Sequence, residues 1–348
     1  MKKVFLYNLD RVLLIFLLLI DIRKDEVIFI TYEDKKKNLE KLEGEKIFFR
    51  LPNLDNCSAL VQKIKLSNYI KQIRKENKEI LNEVAEGKAE LYGIDQDFLG
   101  KKLFYKEKIN VIEEGTGFYL TNSFFYYGEK NFSNKIKNIL RKIVKKIIEK
   151  IFFIEERKKV FGYDESVKKI YLTENLCKKI PKGLEKKVEI INLKKLWNKK
   201  SEEEKKIIFD IFNFNDEILK KVDENTIMLF TQPLSEDNMI SEEEKIELYS
   251  KILRKYNSQS IIIKPHPREI TDYSKYFSNC YIMKEKYPVE ILELVGINIK
   301  KAVTIFSSAV FGLGKNIEID FYGTEIHPKL FEIFGTQNKI MKRNAFLD

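Results

Sequence analysis

The first 31 residues fall into three blocks: a short apolar run at 3–7, a nearly continuous apolar stretch at 12–20 reached through Asn8, Asp10 and Arg11, and a second short run at 26–31. Short apolar runs suit buried strands, and a longer run that is apolar all round suits a buried helix. The pattern predicts a β-α-β opening, with a strand over 3–7, a helix over 10–23 that has Asp10 near its start, and a strand over 26–31. Met1-Lys2-Lys3 ahead of the 12–20 stretch resembles the start of a signal peptide. The stretch falls well short of the roughly 18 to 20 residues that span a bilayer, ends at Asp21 and leads to no small-residue cleavage site, so a buried helix is the better reading.

The alternation continues along the chain. Residues 46–50 read as a strand, 57–64 as a short helix, 66–86 as a charged helix, and 110–112 as a strand running into Glu113-Glu114-Gly115-Thr116-Gly117. Residues 134–159 are strongly basic, with Ile136, Ile139, Leu140, Ile143, Val144, Ile147, Ile148 and Ile151 at helical spacing, which predicts an amphipathic helix. Such a helix either packs on the core with its lysines in solvent or offers a cationic face to anionic lipid headgroups. Short apolar strands recur at 169–172, 188–191, 226–230, 260–263, 280–283 and 302–305, and this grammar suits a parallel sheet covered on both faces. The helical segments 201–213 and 241–256 each begin with Ser followed by acidic residues, which is N-terminal capping chemistry. The expected architecture is two successive α/β domains. The first spans 1–158 and ends in the long basic helix; the second spans 159–348, and its last helix is a candidate to return to the first.

Composition narrows the class. With 348 residues, 44% of them hydrophobic, and only 14 Gly and 7 Pro, the chain is globular. The 64 Lys+Arg exceed the 53 Asp+Glu by enough for a net charge of +11, which admits nucleic acid, an anionic membrane face or an anionic small molecule as partner. Lysines are interspersed with glutamates and no nucleic-acid-binding module is recognisable, so a basic nucleic-acid-binding protein is the weaker reading. Three scattered cysteines (Cys57, Cys177, Cys280) and two histidines support neither a disulfide framework nor a zinc site, and a reducing cytoplasm is the simplest compartment.

Three segments carry the candidate chemistry. Ile261-Ile-Ile-Lys-Pro-His-Pro-Arg268 is a buried-type strand ending in Lys264 and a His266 held between Pro265 and Pro267, where a rigid imidazole beside a cation can donate to a phosphate. The strand at 302–305 ends in Phe306-Ser307-Ser308, adjacent hydroxyls that either hold an anion or simply cap a helix. Glu113-Glu114-Gly115 offers paired carboxylates at a strand end, hence a general base or an acidic turn. Three other features are set aside: Asp95-Gln96-Asp97 as a cheap match to a metal-binding D-x-D, His327-Pro328 as a turn leading into a helix, and Gly312-x-Gly314 as an incomplete dinucleotide fingerprint.

In this order, Glu113-Glu114-Gly115, Lys264-Pro-His266-Pro267 and Ser307-Ser308 resemble the three signature motifs of bacterial sialyltransferases, and Tyr287-Pro-Val-Glu290-Ile-Leu resembles their Pro-x-Glu-Ile/Val-Leu segment. Length and the turn Phe230-Thr231-Gln232-Pro233 are most similar to glycosyltransferase family 52, the lipooligosaccharide sialyltransferases. The resemblance implies a GT-B fold, two Rossmann-like α/β domains facing a central cleft, and metal-independent, inverting transfer of sialic acid from CMP-sialic acid to a terminal galactose, with α2,3 linkage. It implies Glu113 as general base with Glu114 the alternative, His266 as the group that stabilises or protonates the leaving phosphate, and Lys264, Pro265, Glu290, Ser307, Ser308, Thr231 and Gln232 as donor-binding residues, with Gly115 the motif glycine. No cofactor or metal is expected, because a monophosphate leaving group can be handled by His, hydroxyls and helix termini. A galactose-terminated glycan acceptor, a peripheral position on the inner face of the cytoplasmic membrane through 134–159, and a homodimer complete the expectation. A polysialyl or capsule-type sialyltransferase and a hexosyltransferase on the same fold are the alternatives within enzymes.

Overall fold

The computed structural model describes residues 1–53, 58–115, 156–157, 161–256, 260–314 and 317–335. The chain divides into two compact units, the first holding Met1–Thr173 and Ile180–Ile191, the second Glu174–Lys179 and Asn192–Asp348.

In the first unit, β1 (Lys2–Leu6), β2 (Val27–Tyr32), β3 (Glu45–Phe49), β4 (Ala89–Gly93), β5 (Ile109–Ile112), β6 (Val167–Thr173) and β7 (Val188–Ile191) form one sheet in the order β3-β2-β1-β4-β5-β6-β7. Every neighbouring pair is parallel. The apolar stretch at the start of the chain is the helix Asp10–Leu19, buried from Val12 through Leu18. It stays all-apolar because it crosses between β1 and β2 under the sheet: Phe16 stacks on Phe5 with centroids 4.1 Å apart and meets Phe29 edge-on at 6.4 Å. Each such side chain contributes ~1.5–3 kcal/mol by leaving water. The charged region after β3 folds as one helix, Ala59–Glu76, and a second, Lys78–Ala85, with Asn77 between them, so the expected split near residue 65 moves to 77.

The expected domain boundary at 158/159 is too early. β6 and β7 continue the first sheet in parallel register beyond β5, so that unit closes only after Ile191. Hydrophobic alternation marks a strand but not the sheet it joins, and the sheet is fixed by ladder bonds. The predicted basic helix lies outside the described residues except at its end, where Glu156 and Arg157 belong to no helix. Arg157 is buried and donates through Nε to the Gly100 carbonyl at 2.8 Å and through Nη2 to the carbonyls of Glu107, at 2.8 Å, and Phe104. It fastens loops of the first sheet and is no part of a cationic surface.

In the second unit, β8 (Ile227–Phe230), β9 (Ile261–Lys264), β10 (Tyr281–Ile282), β11 (Lys301–Thr304) and β12 (Glu318–Phe321) form a parallel sheet in the order β10-β9-β8-β11-β12. Helices Glu202–Phe212 and Glu242–Leu253 both start with full capping boxes, Ser201 with Glu204 and Ser241 with Glu244, as their sequences predict. Leu248, Tyr249 and Ile252 of the second of these join Leu229, Ile263 and Val303 of the central strands in one core cluster. The last described helix, Pro328–Phe334, puts Leu330 into that same cluster and so stays with the second sheet instead of returning to the first. Pro328 stands at its first turn, as expected for a turn leading into a helix.

Both sheets reverse their strand order once, between β1 and β4 in the first and between β8 and β11 in the second. Parallel sheets bind ligands beyond the carboxyl ends of the strands at such reversals, because the flanking loops diverge to opposite faces there.

Candidate active site

In the first unit the acidic motif follows the carboxyl end of β5. Glu113 is fully buried, and its carboxylate is engaged on both oxygens. Oε1 takes a charge-assisted bond from Arg11 Nη2 at 2.6 Å and the Thr173 hydroxyl at 2.7 Å; Oε2 accepts the Thr173 backbone N–H at 3.0 Å. Arg11 Nη1 adds a bond of 2.6 Å to the Glu113 carbonyl. Glu113 thus ties the helix after β1 to the ends of β5 and β6. Arg11 and Thr173 carry this arrangement, and sequence reasoning passed over both. A signal existed for the first: an arginine in the first turn of a helix opposes the helix dipole and needs another reason to be there.

Glu114 differs from its neighbour. It is partly buried and makes no hydrogen bond or ion pair among the described residues, and burial, then the nearby Asp95 charge, raise its pKa above the usual carboxylate range while Arg11 pulls the other way. Gly115 follows with φ of +136°, a backbone region that L side chains avoid, and an added Cβ would meet nothing within 4 Å. The glycine is there for backbone direction, turning the chain out of the strand. Asp95 and Asp97, beyond the end of β4, each give one oxygen to a backbone N–H, Gly162 at 2.8 Å and Gly100 at 2.7 Å. Their remaining oxygens, Asp95 Oδ1 and Asp97 Oδ2, are buried without a hydrogen-bond partner among the described residues, and burial pushes Asp97 up to about 7. Two loop-shaping carboxylates account for the D-x-D spacing.

In the second unit three predicted segments meet at the carboxyl ends of adjacent strands: Thr231-Gln232 after β8, Lys264-Pro265-His266 at the end of β9, and Ser307-Ser308 beyond β11. β8 lies between the other two; β8 and β11 border the sheet reversal, and β9 is the next strand beyond β8. Lys264 is buried, points its Nζ at the Tyr287 carbonyl at 3.4 Å and sits 5.2 Å over the Tyr287 ring. Burial lowers its pKa to about 8 against the opposing pull of Glu290. His266 Nδ1 accepts the Arg268 backbone N–H at 3.2 Å, and burial, then the Arg268 charge, lower the imidazole pKa below its ordinary value. With Nδ1 accepting that N–H, the proton of the neutral ring lies on Nε2, which is left to donate. Arg268 itself is held in a two-bond fork by Asp237 at 2.5 and 2.9 Å.

Ser307 caps the short turn Ser308–Leu313, its hydroxyl oxygen accepting the Ala309 N–H at 3.4 Å, so the capping role is real and leaves the hydroxyl hydrogen to donate elsewhere. Ser308 is exposed. Glu290 is buried at the start of the helix Glu290–Leu294, and a Cβ on Gly312 would come within 2.9 Å of its Oε1. Gly314 bears the same relation to Glu293, whose carboxyl burial pushes up to about 7 and which accepts the Asn175 amide at 2.7 Å. The Gly312-x-Gly314 pair is thus explained by two carboxylates that need its space.

The sequence profile of glycosyltransferase family 52 matches residues 60–330, most of the chain. The chain belongs to glycosyltransferase family 52. An uncharacterized protein of Haemophilus influenzae is 38% identical over 247 residues, covering 70% of this chain and 72% of its own. Among solved structures, the GT-B domain of a sialyltransferase from Photobacterium damselae superposes with a TM-score of 0.59 at 13% identity, over 99% of this chain and 97% of that one. A 2,6-sialyltransferase of Photobacterium sp. JT-ISH-224, solved with CMP and lactose, gives the same score at 14% identity, over 100% of this chain and 77% of its own. At these identities the likeness is one of fold, and the fold of this family 52 glycosyltransferase is GT-B.

Proposed function

We propose that this family 52 enzyme is a sialyltransferase that moves sialic acid from CMP-sialic acid to a galactose hydroxyl of a lipooligosaccharide or related surface glycan, inverting the anomeric centre and forming an α2,3 linkage without a metal. The observation that carries the reading is the gathering of Lys264, His266, Thr231, Gln232 and Ser307-Ser308 beyond three neighbouring strand ends, with the charge of Glu290 felt at Lys264 from beyond ion-pair distance. A buried cation, an imidazole with its donor on Nε2 and two hydroxyls form a set suited to one phosphate, and a nearby buried carboxylate suits the hydroxyls of a ribose.

In this reading the acceptor hydroxyl attacks the anomeric carbon, the bond from that carbon to the phosphate oxygen breaks, and the electron pair leaves with CMP. The hydroxyl proton goes to Glu114. Glu113 is the less suitable base, because both of its oxygens already hold donors, whereas Glu114 makes no hydrogen bond among the described residues and burial raises its pKa. His266 acts by donating Nε2–H to the phosphate as charge develops there; a neutral imidazole that gives up its only proton would become an anion, so hydrogen bonding is favoured over full proton transfer. Attachment to the cytoplasmic face of the membrane through 134–159 belongs to the same reading; no described helix is long and apolar enough to cross a membrane.

Calorimetric titration of EDTA-treated protein with CMP, UDP and ADP, repeated on His266→Ala, tests the proposal. Selective CMP binding that weakens in the variant is the expected result. A preference for UDP would move the reading to a hexosyltransferase, and no nucleotide binding would overturn it.

A further inference from the structure

The Pro265-His266-Pro267 turn has an unusual anchoring problem. Neither proline carries an N–H, so the backbone offers a single donor by which the turn can be held, that of His266. That donor goes to a buried carboxylate. Glu269 Oε2 accepts the His266 N–H and, at 2.5 Å, the hydroxyl of Thr231 from the end of β8; its Oε1 accepts the Tyr273 hydroxyl at 2.5 Å. The Glu269 N–H returns a bond of 2.9 Å to the His266 carbonyl. Behind Glu269 stands Lys245, fully buried, 4.0 Å from Oε1 and paired at 3.0 Å with both Glu236 and Glu242. Glu236 in turn accepts the Ile270 and Thr271 N–H groups at 2.9 and 3.3 Å. The backbone donor of the turn is thus held by one buried acid, which stands against a buried lysine, while Lys286 Nζ donates to the Pro267 carbonyl at 2.7 Å and Arg268 and the Ile270 and Thr271 N–H groups are held by Asp237 and Glu236.

We infer that Glu269 is a positioning residue for His266: by taking the only backbone donor of the Pro-His-Pro turn and joining it to Thr231, it aims the imidazole at the departing phosphate. The inference rests on the donor-phosphate role of His266 set out above.

The test is a double-mutant cycle of kcat and KM for CMP-sialic acid, with thermal unfolding, on Glu269→Ala, His266→Ala and the double variant. A misplaced imidazole predicts about a hundredfold loss of kcat for Glu269→Ala, with a smaller change in KM. Because the effect passes through His266, adding Glu269→Ala to His266→Ala should cost less than about threefold more. Glu269→Gln keeps a carbonyl oxygen for His266 and Thr231 and should restore most of the rate. Glu269→Asp keeps the charge opposite Lys245 but withdraws the oxygen from His266, and it carries the same cycle if the alanine variant folds poorly. Losses that multiply in the double variant, with His266→Ala itself crippling, overturn the inference alone. If His266→Ala leaves turnover intact, the donor-phosphate reading falls and takes the inference with it.

Discussion

The two strand-end clusters handle buried charge in opposite ways. In the first unit, Arg11 and Glu113 neutralise each other at 2.6 Å, and Thr173 fills the remaining acceptor sites. In the second, Lys264 is buried with a carbonyl and an aromatic ring for company, no carboxylate oxygen within 4.0 Å among the described residues, and a pKa lowered by that burial to about 8. A buried pair that satisfies itself fixes loops; a buried cation left without a close anion is strained, and the strain is relieved when an anion arrives. Geometry of this kind separates scaffold from chemistry where residue type alone does not, since Glu113 and Glu114 are chemically the same side chain.

The largest effects should come from splitting that pair of glutamates. Glu114→Gln should reduce kcat by about 10²–10⁴, the usual range for a lost general base, with the urea unfolding midpoint at neutral pH no lower than wild type, because burial already disfavours the charged carboxylate. Glu113→Gln should do something else. It leaves Arg11 facing an uncharged amide, which should cost about 3 kcal/mol of stability, near the low end for a broken buried pair because Arg11 keeps some solvent contact. Steady-state kinetics and urea denaturation on both variants give the comparison, and full stability with abolished turnover in Glu113→Gln would reverse the assignment.

Lys264 gives the intermediate effect, and its sign is opposite for stability and for binding. Its folded pKa of about 8 lies below the unfolded value, so the folded state binds that proton less tightly. The resulting penalty is absent at pH values above the unfolded pKa, grows as pH falls, and is complete below about 8, where it is of the order of 3 kcal/mol. Lys264→Met should therefore unfold at a higher temperature than wild type at pH 7 while binding CMP at least tenfold more weakly. The pH profile of kcat/KM sharpens the point: it should rise on the acid side as Glu114 loses its proton, at a pH above the usual carboxylate range, and fall above about 8 as Lys264 loses its charge. In Lys264→Met the basic limb should disappear and the acid limb remain.

The sequence made the second site more legible than the first. Lys264, His266 and the serines each follow a short apolar run, and a strand end in a parallel sheet is a place that such a run predicts. The difference between Glu113 and Glu114 was not legible, because it depends on Arg11 and Thr173, which lie 102 and 60 residues from Glu113. Glu269 left no trace either: one acid after a Pro-His-Pro-Arg run looks like solvent-facing charge until the fold buries it. Two strands also escaped. β4 is the five-residue run Ala-Glu-Leu-Tyr-Gly, and β12 is an edge strand whose acids read as polar because they pair with Lys301 at 3.0 and 2.9 Å.

The smallest expected effect is at Gly312, where a single methyl group probes the proposed ribose subsite. Its backbone has no left-handed φ, so alanine brings no conformational strain, and the whole effect comes from contact: the new Cβ would lie 2.7 Å from Val289 Cγ1 and 2.9 Å from Glu290 Oε1. Real Cβ atoms do not approach so closely, so the carboxylate must shift, by about the distance at which a hydrogen bond to a ribose hydroxyl is lost. Gly312→Ala should weaken CMP binding about fivefold to tenfold, the net worth of one ordinary hydrogen bond, while dCMP, which lacks the 2′-hydroxyl, should lose less. Calorimetry with both nucleotides on both proteins measures the difference. Equal losses for CMP and dCMP would mean that Glu290 shapes the pocket wall without reading the sugar, and the comparison of the two units would then rest on Lys264 alone.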